Sequence, residues 1–174
     1  TGLTKLGIEK VPPMVARGVL FDMTQVLGVD YLKAGQTFSV KDLQAAENKQ
    51  GVKVQKGDVV LFHTGWTDAM LEKFPEKWGA EIPGLTPELA QYLADKEVIA
   101  VGSDTYGLDV IPPVNPMEPF QGHVILLQQN GIYILEAMNT GPLATDEAYE
   151  FLFVLGQAKV RGAVQMYINP IAIK

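Results

Sequence analysis

Apolar runs and polar breaks follow one another along this chain in an order that predicts strands and helices in turn. Arg17 to Met23 (RGVLFDM), Val59 to Phe62 (VVLF) and Val98 to Val101 (VIAV) each carry the short apolar run of a buried strand. Helical patterns fall between them. Ser39 and Asp42 form a capping box with the shorter acid, and Leu43 and Ala46 carry an apolar stripe on to Gly51. Thr67 to Phe74 predicts a further helix. Thr86-Pro87-Glu88 opens the clearest one, with Thr86 as N-cap, Pro87 at the first helical position and Leu89, Tyr92 and Leu93 as the stripe. Residues 1–15 predict an extended lead-in. Val26 to Phe38, Pro75 to Gly84 (with Trp78), the proline-rich Ile111 to Pro119 and Asn139 to Thr145 predict loops. Glu150 to Leu155 and Val160 to Ile168 predict two final strands turning at Gly156 to Lys159.

Strands alternating with helices predict an α/β domain, and two final strands with no helix between them favour a mixed sheet. No internal repeat or long linker divides the chain, so residues 1–174 are expected to form one domain.

The segment Gly122 to Asn139 (GHVILLQQNGIYILEAMN) concentrates the chemistry. His123 is one of two histidines in the chain, and Glu136 follows it by thirteen positions inside an apolar run. The pattern predicts a short helix or helical turn, a glycine cap at Asn130-Gly131, and a strand ending at Glu136. That return can bring imidazole and carboxylate to one end. An imidazole and a carboxylate suit Zn or Mn. A hydrogen-bonded core histidine and a solvated rim glutamate are the other reading of the same residues.

Two more strand ends carry polar residues: His63-Thr64-Gly65-Trp66 and Ser103-Asp104-Thr105-Tyr106. In open α/β sheets ligands bind at the carboxyl ends of strands. Asp104 is either a pocket acid or orienting group, or a turn residue whose side chain caps nearby backbone. Trp66 and Tyr106 are candidate walls of an aromatic-sized pocket with Asp104 and Thr105. His63 follows a strand and precedes a glycine turn.

The bulk numbers narrow the classes. An apolar fraction of 47% and a charged fraction of 20% are those of a soluble globular protein. A net charge of −6 without a basic cluster argues against nucleic acid and anionic membranes as partners. No cysteine is present, so disulfides and thiolate metal sites are excluded. No apolar run approaches the ~20 residues of a membrane-spanning helix, and a cytoplasmic location is expected. The chain opens on Thr1 rather than Met, which fits a processed, trimmed or fragmentary chain. No G-x-S-x-G, G-x-G-x-x-G or P-loop motif appears.

The run H-x-x-LL-x-x-NGI-x-I-x-E resembles the C-terminal signature of the metal-dependent cyclase family, which includes kynurenine formamidases and isatin hydrolases. Further pieces are similar to the family: Lys5-Leu6-Gly7-Ile8-Glu9 with Pro12-Pro13, Arg17 to Asp22, Leu32 to Gly35, Gly57 to Leu61 with Thr64-Gly65-Trp66, Gly102-Ser103-Asp104-Thr105, and Pro170-Ile171-Ala172. The resemblance implies a mixed-sheet swivelling β/β/α fold and hydrolysis of a small amide or cyclic amide by a metal-activated water. It implies that His123 and Glu136 are catalytic metal ligands, with Zn or Mn as cofactor and a small molecule as substrate.

One part of the pattern is missing. The family's principal motif, H-x-G-T-H-x-D followed by another histidine, is absent, and the histidines at 63 and 123 cannot rebuild it. The expectation is an N-terminally incomplete fold: the C-terminal part of a longer enzyme, inactive or much weakened alone and binding metal poorly. It is also expected to cover an exposed edge or apolar patch by forming a homo-oligomer, a dimer or tetramer. The other reading is a non-catalytic small-molecule-binding or oligomerisation module that kept the fold and lost the metal.

Overall fold

A computed structural model describes residues 7–174, so residues 1–6 of the expected lead-in, Lys5 and Leu6 of the family-like stretch among them, lie outside the described residues. The chain builds a mixed α/β fold around a six-stranded sheet. Its elements are β1 (Met14–Asp22), α1 (Met23–Leu27), β2 (Thr37–Phe38), α2 (Val40–Gln50), β3 (Val59–His63), α3 (Trp66–Met70), α4 (Pro75–Trp78), β4 (Gly84–Leu85), α5 (Pro87–Asp95), β5 (Ala100–Ser103), α6 (Gln121–His123), a π-helical turn (Val124–Gln129), β6 (Tyr133–Leu135), α7 (Gly141–Thr145), β7 (Glu150–Leu155) and β8 (Ile171–Ile173).

The sheet order is β6-β5-β3-β1-β7-β8, and the neighbours among β1, β3, β5 and β6 pair in parallel. β7 runs antiparallel to β1, and β8 antiparallel to β7, so the sheet is mixed. β2 and β4 form a separate parallel pair.

Alternation along the strands sorts the core into two layers. Val19, Phe21, Val60, Phe62 and Val101 face α2 and α5, whose Leu43, Ala46, Leu89 and Leu93 close that side. Leu20, Val59, Leu61, Ala100, Phe151 and Phe153 face the other way and pack with Met14, Met138 and Leu143. All five residues of β3 are buried, which is why its sequence is continuously apolar up to His63. Gly18 is fixed by close approach: a Cβ there would lie 2.2 Å from the Phe151 ring on the paired strand β7.

The capping expectations hold. Asp42 Oδ2 accepts from both the Ser39 N–H and its hydroxyl at 2.7 Å, and Thr86 Oγ1 accepts from the Leu89 N–H. Short elements that overlap three expected loops are corrections: α1, which also takes Met23 from the expected strand, and β2 in 26–38, α4 and the start of β4 in 75–84, and α7 at 141–145. Pro75 and Pro142 stand in the first turns of two of these helices, where their missing N–H costs nothing. The expected strand Val160 to Ile168 does not form. Gly162, at φ 81°, turns the chain there, and pairing with β7 begins only at Ile171. As the outermost strand, β8 leaves Ile171 and Ile173 57% and 53% exposed. Among the described residues no helix is long and apolar enough to cross a membrane.

Candidate active site

Because β1, β3, β5 and β6 run in parallel, their carboxyl ends share one edge of the sheet, and each ends beside a polar residue: Asp22, His63, Asp104 and Glu136. Ligand sites form at such an edge. Asp22 caps α1, accepting from the Gln25 N–H and the Thr24 hydroxyl. His63 is buried with Nδ1 2.8 Å from Thr140 Oγ1.

Glu136 and His123 meet at this edge. His123 Nε2 lies 3.3 Å from Glu136 Oε1, and His123 Nδ1 lies 2.6 Å from Asp109 Oδ2. The imidazole is therefore flanked by two acids. Asp109 also accepts from the main-chain N–H of Gly122 at 2.6 Å and of His123 at 3.0 Å. One carboxylate thus holds both the ring and the backbone that carries it. A Cβ at Gly122 would come 2.7 Å from Asp109 Oδ1, so a larger residue there would displace the carboxylate that holds the ring. The Asp109 carboxylate first, and Glu136 second, raise the His123 pKa to about 9 against the opposing effect of burial.

A cavity of about 250 Å³ opens over this group, lined by Tyr106, Gly107, Asp109, Ile111, Phe120, His123 and Glu136. The Phe120 ring stands edge-on to the imidazole, with centroids 6.3 Å apart. Burial, and then repulsion from Glu136, raise the Tyr106 hydroxyl above its ordinary pKa. Phe120 and Ala137 both hold left-handed backbone, at φ 58° and 52°, directly beside the helix of His123 and beside Glu136. Such conformations persist where surrounding contacts enforce them. The Ala137 N–H is tied to the Thr105 carbonyl at 2.7 Å, and the Met138 N–H to the Ser103 carbonyl at 2.9 Å.

Asp104 is buried just past the end of β5. Its Oδ1 accepts from the Thr64 N–H and the Thr64 hydroxyl, both at 2.8 Å, and Oδ2 from the Thr67 N–H at 3.4 Å. Burial pushes its carboxyl up, outweighing His63 and the Thr64 bonds. The Thr105 hydroxyl bonds to Ser103 Oγ and to the Gly107 carbonyl. Asp104 and Thr105 therefore bind the strand ends together and do not line the cavity. The partners of the Asp104 carboxylate lie 37–40 positions away, so it ties the end of β5 to the start of α3 and forms no local turn. Trp66 lines a different cavity, with Tyr31 and Lys77. Tyr106 alone of the expected pocket walls joins His123 and Glu136. Sequence reasoning missed Asp109. Its signal was an acid set among Leu108, Val110 and Ile111 just ahead of the proline run.

The donor chemistry fits a divalent ion in part. An imidazole nitrogen and a carboxylate oxygen face one another, and the far ring nitrogen is held by a second carboxylate, as metal-binding histidines usually are. Among the described residues no group of three or more His, Asp or Glu side chains is placed to hold a metal. The pair makes two donors of a set, not a closed site.

A mixed α/β sheet with a carboxylate–histidine–carboxylate group at its carboxyl edge defines the class. The profile of the putative cyclase family matches residues 3–110, and the chain belongs to that family. The matched stretch includes Asp109 and ends before His123 and Glu136. Among solved structures the chain is similar to one described as a novel cyclase, at 29% identity and a TM-score of 0.85, over 98% of this chain and 58% of that one. It is similar in fold to isatin hydrolase A from Ralstonia solanacearum, at 22% identity and a TM-score of 0.78, over 97% of this chain and 64% of that one. A predicted metal-dependent hydrolase from Bacillus stearothermophilus also matches, at 22% identity and a TM-score of 0.64, over 91% of this chain and 63% of that one. The chain thus spans less than two thirds of the length of these relatives. No curated protein matches it.

Proposed function

We propose that the chain belongs to a metal-dependent hydrolase that opens a small amide or cyclic amide, with His123 and Glu136 as two ligands of its divalent ion. The observation that carries this reading is the 3.3 Å approach of His123 Nε2 to Glu136 Oε1 while Asp109 holds Nδ1. That bond keeps the Nδ1 proton on the side of Asp109 once the ring is neutral and leaves the Nε2 lone pair directed at the glutamate. When bound, a divalent ion supplies Lewis acidity and activates water for attack on a carbonyl. The chain's own residues orient and exclude. Asp109 fixes the imidazole, Phe120 and Ile111 wall the cavity with apolar surface, and Tyr106 offers a hydroxyl donor beside Glu136. A space of about 250 Å³ suits a single small ring system. The isatin hydrolases among the neighbours act on a cyclic aryl amide, which supports that substrate class here.

The remaining ligands come from outside the described residues, so this chain alone binds Zn or Mn weakly and turns over slowly. The test is calorimetric titration with Zn and Mn, followed by hydrolysis assays on isatin and formanilide. Weak binding by the wild type, abolished in His123→Ala, supports the assignment. Binding of equal strength in His123→Ala overturns it and favours the non-catalytic module.

A further inference from the structure

Tyr31, Trp66 and Lys77 wall a second cavity of about 470 Å³, larger than the one over His123 and sharing no lining residue with it. We propose that this cavity is a separate binding site for a planar aromatic carboxylate.

Its size falls in the range of small-molecule sites. Its floor is aromatic. Trp66 is 2% exposed, so its ring is set firmly in the wall, and its Nε1–H is already satisfied by the Trp78 carbonyl at 3.3 Å. Tyr31 tilts against it with ring centroids 6.4 Å apart, and Met70 adds a polarisable side. With Trp66 buried behind it and its indole nitrogen already paired, the 38% exposed Tyr31 ring is the accessible aromatic surface, and it favours a flat apolar face over a hydrogen-bonding edge.

The rim is charged. Lys33, Lys77 and Glu81 are exposed members of the lining, giving two cations to one acid on a protein of net charge −6. Among the described residues neither lysine stands within ion-pair distance of an acid, so both remain available to an incoming anion. Lys77 Nζ rests 5.2 Å from the Phe74 ring centroid, which holds it near the surface of its own helix. Aromatic floor and cationic rim together select a ring that bears a carboxylate.

Trp78 separates the two cavities. Its carbonyl receives the Trp66 indole, its own Nε1–H donates to Thr67 Oγ1 at 2.7 Å, and its ring packs on Tyr106 at 5.8 Å. The second site is therefore adjacent to the first but chemically distinct.

The chain has two tryptophans, so two indole N–H signals report on the region by ¹⁵N–¹H NMR. Sodium benzoate is the probe, and benzamide is its uncharged counterpart. The expected result is a saturable shift of the Trp66 signal with benzoate, weaker by about tenfold with benzamide and in a Lys33→Ala/Lys77→Ala variant. Both lysines are exposed, so that variant folds. In His123→Ala the benzoate response is unchanged, which separates this site from the metal-ligand pair. No saturable shift with benzoate overturns the proposal. So does equal affinity for benzamide, an unchanged affinity in the double lysine variant, or loss of the response in His123→Ala.

Discussion

His123 Nε2 and Glu136 Oε1 stand 3.3 Å apart, although thirteen positions separate them in the chain. Two backbone contacts frame that approach. The helix carrying the imidazole starts under Asp109, and the strand carrying the acid stops where Ala137 is tied to Thr105.

Asp109 is the residue whose loss should be felt most without touching either donor. Asp109→Asn keeps an acceptor but loses the charge at Nδ1. Carboxylates that orient a metal-binding histidine are worth about 10–100-fold in affinity. The expected outcome is a loss of that size in Zn affinity, measured by chelator competition, together with a mixed tautomer population in ¹⁵N spectra of the His123 ring. Unchanged affinity and a single Nδ1–H tautomer would remove Asp109 from the site.

Protonation of His123 sets a pH dependence. The group's pKa rises from 6.5 to about 9 on folding, so the folded chain holds this proton more tightly. The associated stability is fully present below pH 6.5 and is lost as pH rises through about 9. Urea unfolding of metal-free protein should show that decline, and His123→Asn should lack it. Metal must displace the same proton, so Zn affinity should climb with pH towards about 9 and then level off.

Removing the Asp104 carboxylate strands the Thr64 N–H, the Thr64 hydroxyl and the Thr67 N–H, all oriented towards it. Asp104→Ala should cost about 2–4 kcal/mol of stability, because buried donors left without partners bear their full desolvation cost. Asp104→Asn keeps one acceptor oxygen and should cost less. Chemical denaturation of both variants decides the matter. Equal losses would mean that charge, not the acceptor, is what this junction needs.

Gly18 offers a test of packing far from the site. A methyl at this position meets the Phe151 ring. Gly18→Ala should destabilise by about 1–3 kcal/mol through overpacking, with the Zn affinity of the folded protein unchanged. A neutral effect in urea unfolding would show that β7 can shift to make room.

Self-association is expected through β8, whose outer edge is unpaired among the described residues and whose Ile171 and Ile173 are exposed. Ile171→Lys/Ile173→Lys should shift the sedimentation profile towards monomer. A wild-type chain that sediments as a compact monomer at high concentration would leave no role for that edge.

Much of the fold was legible because the signals were local. Buried strands such as Val59 to Phe62 show as unbroken apolar runs, and the helix after Thr86 declares its own cap and first turn. Short elements escaped because helices of four or five residues, such as Pro75–Trp78, carry too little stripe to detect. The apolar residues at 160–168 look strand-like, yet among the described residues no neighbouring strand offers them hydrogen bonds, and that is a fact of tertiary pairing. The site followed the same rule. His123 and Glu136 stood out as polar residues in apolar runs, and their pairing depended on one local return. Asp109 reaches His123 only after the chain passes through the proline-rich loop, and Trp66 looks like a neighbour of Tyr106 until the fold puts Trp78 between them.

The turn at Val124–Gln129 is π-helical, lying between the imidazole and the acid. A π turn accommodates one residue more than an α turn of the same height. A cousin with ordinary α geometry there would join the two donors across one fewer position. The interval between the two donors is therefore set by backbone geometry as well as by sequence, and one position of it belongs to the π turn alone.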